Sequence, residues 1–425
     1  METMVVRKKI VYIIFAFLIL MDNCFYLINT DAIHVTGSFA YSDIWLIAFA
    51  LFFFWQFVKY IRIREGVQYK EKYLIIALCI LVFISAYQQM KLTGQGFNLG
   101  VRPQRNYLLV LLSYFPIRKL IALKKIDSEE LIQGLMKLGT FAAAVYILQK
   151  LVYPNVQFIY AAMNYRNGTL RMYIETSVVQ LAGMVAMYYF CKYFKIKYLV
   201  LYIINFIDIF WVGQGRLEIV SFLAASAIGV VLVKELDTKR LLIVGAGIVA
   251  VFIFLNTPFA DSFWEAVLSA GTARTDQGNT MAIRYAGREL YFKQLGESVS
   301  TLLFGCGYPN SLYAPAANKA GYNVNINLND NGIFGFTYIY GLVGLMILII
   351  LFIRLIVKSV YVFKNTNNNF YIMYFCMLLL LAYNVIMWYW YAGGTFILII
   401  MICILEEAVE RIKGIGDFAE EMISV

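Results

Sequence analysis

Five residues stand out for the chemistry they could do together. Arg171 and Arg216 stand at the ends of long apolar runs, Arg284 and Arg288 lie in the hydrophilic segment before another, and Asp330 sits among amides in "NVNINLNDNGIFGFTYIYGLVGLM", Asn323 to Met346. A guanidinium keeps its charge at any physiological pH and meets phosphate oxygens through paired N–H donors, whereas an ammonium is a hydrated point charge. Arginines gathered at the lip of apolar segments therefore suit a phosphate or diphosphate. The plainer alternative for each is snorkelling out of lipid or a structural ion pair. Asp330 fits a base or orienting acceptor for a hydroxyl, and equally a helix cap, because an acid near a helix N-terminus complements its dipole. Asn329, Asn331, Tyr308 and Tyr322 lie nearby in the chain. Amides donate and accept hydrogen bonds, and aromatic faces stack on CH groups, a combination that suits carbohydrate.

Arg216 is the sharpest of the arginines. "FIDIFWVGQGRLEIVSFLAAS" puts it at a tight hairpin between apolar runs, with Gly213 and Gly215 opening the turn. Asp208 lies inside one run and Glu218 at the start of the next, where an acid is costly unless it is paired or functional. Pairing of Arg216 with either acid is the competing explanation. Neither this GQG nor "GQGFNLG" at Gly94–Gly100 is a dinucleotide fingerprint, since no βαβ unit surrounds it. The six cysteines are scattered without a CxxC pair, and the one histidine is His34, so no metal site and no cofactor is expected.

The elements that must position these residues are membrane helices. Of 425 residues, 61% are hydrophobic and 15% charged, with mean hydropathy +0.70. Repeated apolar stretches of about 18 to 22 residues match the roughly 30 Å of a bilayer's hydrocarbon. The pattern predicts an all-α polytopic membrane protein with about twelve spans, near 10–28, 43–60, 73–88, 106–117, 131–152, 177–192, 198–212, 217–233, 241–256, 334–355, 371–388 and 392–407. The fourth is short enough to be tilted or partly re-entrant. Spans one to nine thus fill 1–256, a large loop fills 257–333, spans ten to twelve fill 334–408, and 409–425 is a tail. Placing both termini in the cytoplasm puts roughly two thirds of the 36 lysines and arginines on that side, as the positive-inside rule requires. Arg7–Lys9 before the first run then reads as an uncleaved signal anchor. The net charge of +10 reflects that topology and not a nucleic-acid partner. Arg102, Arg105, Arg166 and Arg274 join the four arginines above on the outer side. Within the loop an amphipathic helix is expected near Ala282–Leu295, and the alternation over 323–329 permits a short strand. Aromatics in "WYWYAGG", Trp388–Gly394, read as ordinary interface anchors.

"GRELYFKQLGESVSTLLFGCGYPN" followed by "LNDNGIFGFTYIYGLVGLM" resembles the large outer loop of bacterial O-antigen and exopolysaccharide polymerases and O-antigen ligases. The matching residues are Arg284 or Arg288, Phe304-Gly305-Cys306-Gly307, Asp330-Asn331-Gly332 and Gly335. "WVGQGRLEIVSFLAAS" is similar to that superfamily's arginine hairpin, with Gly213-Gln214-Gly215 where a Ser or Thr is usual, and "GTLRMYIETSVV" matches Arg171. Ligases share a histidine before the tenth span; this chain has Asp330, which points to a polymerase. The resemblance implies the ligase/polymerase fold in the cytoplasmic (inner) membrane with its site facing outward. It implies undecaprenyl-diphosphate-linked glycans as donor and acceptor, and inverting, metal-independent transfer. Arg171, Arg216 and Arg284 or Arg288 would hold the diphosphate and Asp330 the acceptor hydroxyl. A flippase and a chain-length regulator are the expected partners. A ligase or protein oligosaccharyltransferase is the alternative within the superfamily; a polysaccharide flippase or secondary transporter is the alternative outside it.

Overall fold

The computed structural model describes residues 2–30, 34–36, 39–61, 67–166, 169–233 and 280–423. The expected ninth span at 241–256 and loop residues 257–279, with Arg274, lie outside the described residues. Apolar runs without proline become helices because lipid offers a backbone no partner, so each N–H must find a carbonyl in its own segment. The result is α1 (Glu2–Met21), α2 (Tyr41–Ile61), α3 (Lys72–Thr93), α4 (Phe97–Val101), α5 (Arg105–Leu112), α6 (Tyr114–Ala122), α7 (Ser128–Val152), α8 (Ser177–Tyr193), α9 (Ile196–Ile207) and α10 (Arg216–Val231). The loop contributes α11 (Thr280–Leu295), α12 (Val299–Phe304) and α13 (Ala314–Lys319), and the chain continues through α14 (Gly332–Thr366), α15 (Phe370–Leu381), α16 (Met387–Trp390) and α17 (Ala392–Ile423).

Six helical stretches are long and apolar enough to cross a membrane: Tyr41–Tyr60, Lys72–Thr93, Ser128–Val152, Ile196–Gly213, Asn329–Thr366 and Ala392–Gly414. The protein is an all-α membrane protein at this level, and several expected spans take other forms. The fourth, at 106–117, is two short helices joined at Ser113. The eleventh, at 371–388, stops at Leu381 and resumes only as the single turn α16. The apolar stretch of α17 is 89% buried against 28% for α2, so α17 is the axis of the bundle and α2 a peripheral helix.

Two small antiparallel hairpins accompany the helices. His34–Thr36 (β1) pairs with Phe39–Ala40 (β2), and Ala162–Arg166 (β3) with Thr169–Tyr173 (β4), setting Asn164 opposite Arg171. No strand forms over 323–329. Residues Tyr322–Val324 and Asn329–Asn331 are 3₁₀ turns and Asn325 takes φ +59°. Asparagine side chains favour turns and tolerate the left-handed region, which outweighs the alternating pattern.

α14 is broken at Gly341, whose φ of +66° and ψ of −169° leave helical geometry. The turn after α12 fills the gap. Cys306 N–H donates to Tyr338 O at 2.7 Å and Gly307 N–H to Ile339 O at 3.2 Å, so carbonyls freed by the break are satisfied. The approach is backbone against backbone. A β-carbon on Gly305, itself at φ +80°, would overlap Ile339 O, and one on Gly341 would overlap Leu303 O.

The far end of the bundle is an ion-pair cluster. Arg118 of α6 is fully buried and donates to Glu406 of α17 at 3.0 Å and to Glu410. Glu71, also buried, takes Arg354 at 2.8 Å and Lys358, and Tyr114 donates to Glu406 at 2.9 Å. Gly393 and Glu406 lie thirteen residues apart on α17, about 20 Å of helix, so this cluster and the arginines of interest occupy opposite ends.

Replacing Gly305 by alanine adds both a left-handed strain and a steric overlap, each costing about 1–3 kcal/mol. Thermal unfolding of the detergent-purified Gly305→Ala variant is expected to show a clearly lowered midpoint. An unchanged midpoint would mean that the turn does not brace α14.

Candidate functional site

β4 and the α9–α10 turn bring two arginines together. A π-helical turn, Asp208–Gly213, ends α9; Gln214 then takes φ +53° and Gly215 is the N-cap of α10. This turn presents Gly213 O to β4, where Arg171 Nε donates to it at 3.0 Å while its guanidinium lies 4.6 Å from the Tyr173 ring. Arg216, the first residue of α10, is half-buried. Neither acid weighed as its partner takes it: Arg216 forms no hydrogen bond or ion pair with any other described residue. Glu218 instead accepts from Thr176 Oγ1 at 3.0 Å, and both carboxylate oxygens of buried Asp208 lack a hydrogen-bond partner among the described residues.

The third arginine arrives from the loop. Burial, then the neighbouring charges of Arg171 and Arg284, lower the pKa of the Arg216 guanidinium. Three like charges therefore act on one another, and among the described residues only Arg284 has an acid as an ion-pair partner. Arg284 Nη2 stands 3.7 Å from Asp330 Oδ1, with the two side chains 28% and 49% exposed. A pair this open contributes about 0–1 kcal/mol, so it orients the carboxylate without locking it. Asp330 makes no cap hydrogen bond to α14, whose N-cap is Asn331.

Arg284 and Arg288 differ in burial and partners. Arg288 is 7% exposed; it donates to Tyr383 Oη at 2.9 Å and Asn384 Oδ1 at 3.0 Å, with its guanidinium 4.4 Å from the Phe334 ring. It ties α11 to the segment after α15 and is not among the charges felt by Arg216. Gly332 belongs to the same seam: φ is +48°, a β-carbon there would overlap Ala382 O, and Ile333 N–H donates to Ala382 O at 2.7 Å.

The glycan-binding candidates divide. Asn329 is exposed at the rim. Asn331 is 1% exposed and donates to Asn327 O at 2.9 Å beneath Gly287, so it builds the rim from below. Tyr308 and Tyr322 are half-buried, and the Tyr308 ring stands 6.4 Å from that of Trp390.

Several site residues have no counterpart in the sequence reading. Burial, then the charges of Glu175, Glu218 and Asp330, push the hydroxyl of Tyr391, next to that Trp390, up to about 12, while Arg171 acts the other way. The "WYWYAGG" stretch thus brings a tyrosine near both the arginines and these acids. Thr176, which donates to Glu218 at 3.0 Å, is another such residue. The signal for β3–β4 was present: Asn167-Gly168 between "AMNYR" and "TLRMY" is a strong hairpin marker. A cavity of about 260 Å³ lies at the opposite end, lined by Glu129, Tyr188, Lys192, Tyr371 and Arg411 among others. Among the described residues no three His, Cys, Asp or Glu side chains gather as a metal-binding group.

Arg284 and Arg288 should separate by phenotype. Arg288→Ala removes a buried guanidinium with its hydrogen bonds to Tyr383 and Asn384 and its packing on Phe334, and should cost roughly 1–3 kcal/mol, whereas Arg284→Ala should stay within about 0.5 kcal/mol. Thermal unfolding of the two purified variants checks this, and equal losses would remove the distinction. A scan against protein-family models finds no match to this chain, and a search of curated proteins finds none either.

Proposed function

We propose that the chain is a polysaccharide polymerase of the O-antigen ligase/polymerase type. In this reading it joins undecaprenyl-diphosphate-linked repeat units on the outer face of the cytoplasmic membrane. The observation that supports this best is the grouping of Arg171, Arg284 and Arg216 near Asp330, with Arg216 in no ion pair among the described residues. Gathered guanidinium groups without a counter-ion repel one another, and a bound diphosphate relieves that repulsion. The same charges stabilise the diphosphate more as it departs, because its negative charge grows when the glycosyl bond breaks.

In the proposed step the acceptor hydroxyl oxygen attacks the anomeric carbon from the face opposite the diphosphate. The new carbon–oxygen bond forms as the old one breaks, and its electron pair leaves on the lipid diphosphate. The acceptor proton passes to Asp330, which Arg284 orients from 3.7 Å. Arg171 and Arg216 face the leaving group, and exposed Asn329 offers an amide to sugar hydroxyls. A secondary transporter is the second reading, favoured by the break in α14 at Gly341 and the unpartnered carboxylate of Asp208, since broken helices and buried acids mark transport pathways.

Arg216→Ala should lower the polymerisation rate by about 10²–10³ and leave single lipid-linked repeats to accumulate. Arg216→Lys, which keeps the charge but not the paired donors, should retain part of the activity. The assay is elongation of a lipid-linked repeat by purified protein in detergent, where no gradient exists. Full-length polymer from Arg216→Ala would remove the residue from the site, and a wild-type protein that elongates nothing there would favour the transporter.

A further inference from the structure

A second group of ionisable residues lies beside the arginines and plays no part in the step above. Asp22, just past α1, and Glu175, just before α8, are 2% and 3% exposed. Their carboxyl groups meet at the start of α17: a β-carbon on Gly393 would overlap Asp22 Oδ1 and stand 3.0 Å and 3.3 Å from the two Glu175 oxygens. Asp22 Oδ1 and Glu175 Oε1 have no hydrogen-bond partner among the described residues, and neither acid forms an ion pair there. A third unpartnered group faces them. Ser177 Oγ, 7% exposed, lies against the adjoining Gly394, 2.9 Å from where its β-carbon would stand.

Two carboxylates cannot both stay ionised, side by side, out of water and without a cation. We propose that Asp22 and Glu175 form a binding site for one proton held between their carboxyl groups. Among the described residues, no cation pairs with either carboxyl group. The groups facing the pair are Tyr26, which receives the Glu175 N–H at 3.1 Å, Tyr146 from α7, and Tyr391. Asp208 adds a further acid near Tyr146, Lys150 is spent on Trp211 O, and Arg171 reaches Tyr391. Burial moves Glu175 up to about 7, so its ionisation falls in the physiological range. A carboxyl raised in the folded state stabilises the fold at low pH, and that contribution is lost as pH climbs from the ordinary 4.5 to about 7.

The site goes beyond the polymerase reading, and its test does not use polymerisation. Purified full-length protein is titrated from about pH 5 to 9 and followed by infrared absorption of protonated carboxyl groups. The wild type is expected to lose a component with a midpoint near 7 that Glu175→Gln lacks. Its thermal midpoint should fall over the same window, and Glu175→Gln should flatten that fall. An identical component in Glu175→Gln overturns the assignment. If that variant does not fold, Asp22→Asn carries the test: removing the partner should displace the midpoint by about one unit, and no displacement overturns the proposal. Repeating the melts with sodium or choline as the salt adds a last arm. Stabilisation by sodium that Asp22→Asn abolishes would make the site an alkali-ion site and not a proton site.

Discussion

A helix that crosses lipid has to satisfy its own backbone, and α14 departs from that rule in one place. At Gly341 the helix opens, and the peptide groups of Cys306 and Gly307 enter from the loop to take the carbonyls of Tyr338 and Ile339. Everything at the rim follows from this graft. It fixes the end of α12, and with it the loop that leads to Asp330. It also holds the first turns of α14 in register with the segment after α15, where Gly332 packs on Ala382. Glycine at 305 and 341 is dictated by backbone touching backbone, so the "FG.G" spacing is a joint and not a ligand loop.

The site is built differently from its frame. Frame contacts are closed: Arg288 has both terminal nitrogens paired, and Gln95 holds the loop by accepting from Asn310 N–H at 2.8 Å and donating to Tyr308 O at 3.0 Å. The polar groups at the rim are open, with Arg216 in no ion pair among the described residues and Asp330 half-exposed beside Arg284. Folding gains little from neighbouring guanidinium groups, because the exposed Arg284–Asp330 pair offsets their mutual repulsion only in part. Residues that cost stability and are nonetheless assembled from three separate elements are where a ligand is to be sought.

Much of this was legible in residue types, and some was not. The apolar runs marked the helices because lipid demands a long unbroken run. Arg171, Arg216, Arg284 and Asp330 were legible because charge beside such a run is costly. Arg288 has the same type and nearly the same position as Arg284, and only tertiary packing against Tyr383, Asn384 and Phe334 separates them. The asparagine-rich stretch 323–329 misled because alternation is shared by strands and by successive turns. Tyr391, Asp22 and Glu175 meet from three distant parts of the chain, and no local pattern announces that meeting.

The ion cluster at the far end bears on how the protein is made. Arg118 emerges from the ribosome long before its counter-charge, for Glu406 follows 288 residues later. Until α17 arrives, Arg118 cannot be buried without leaving its charge uncompensated, whereas Arg354 and Lys358 of α14 already have Glu71. The central helix of the bundle is therefore a late keystone: that end can close around Arg118 only when the glutamates of α17 reach it.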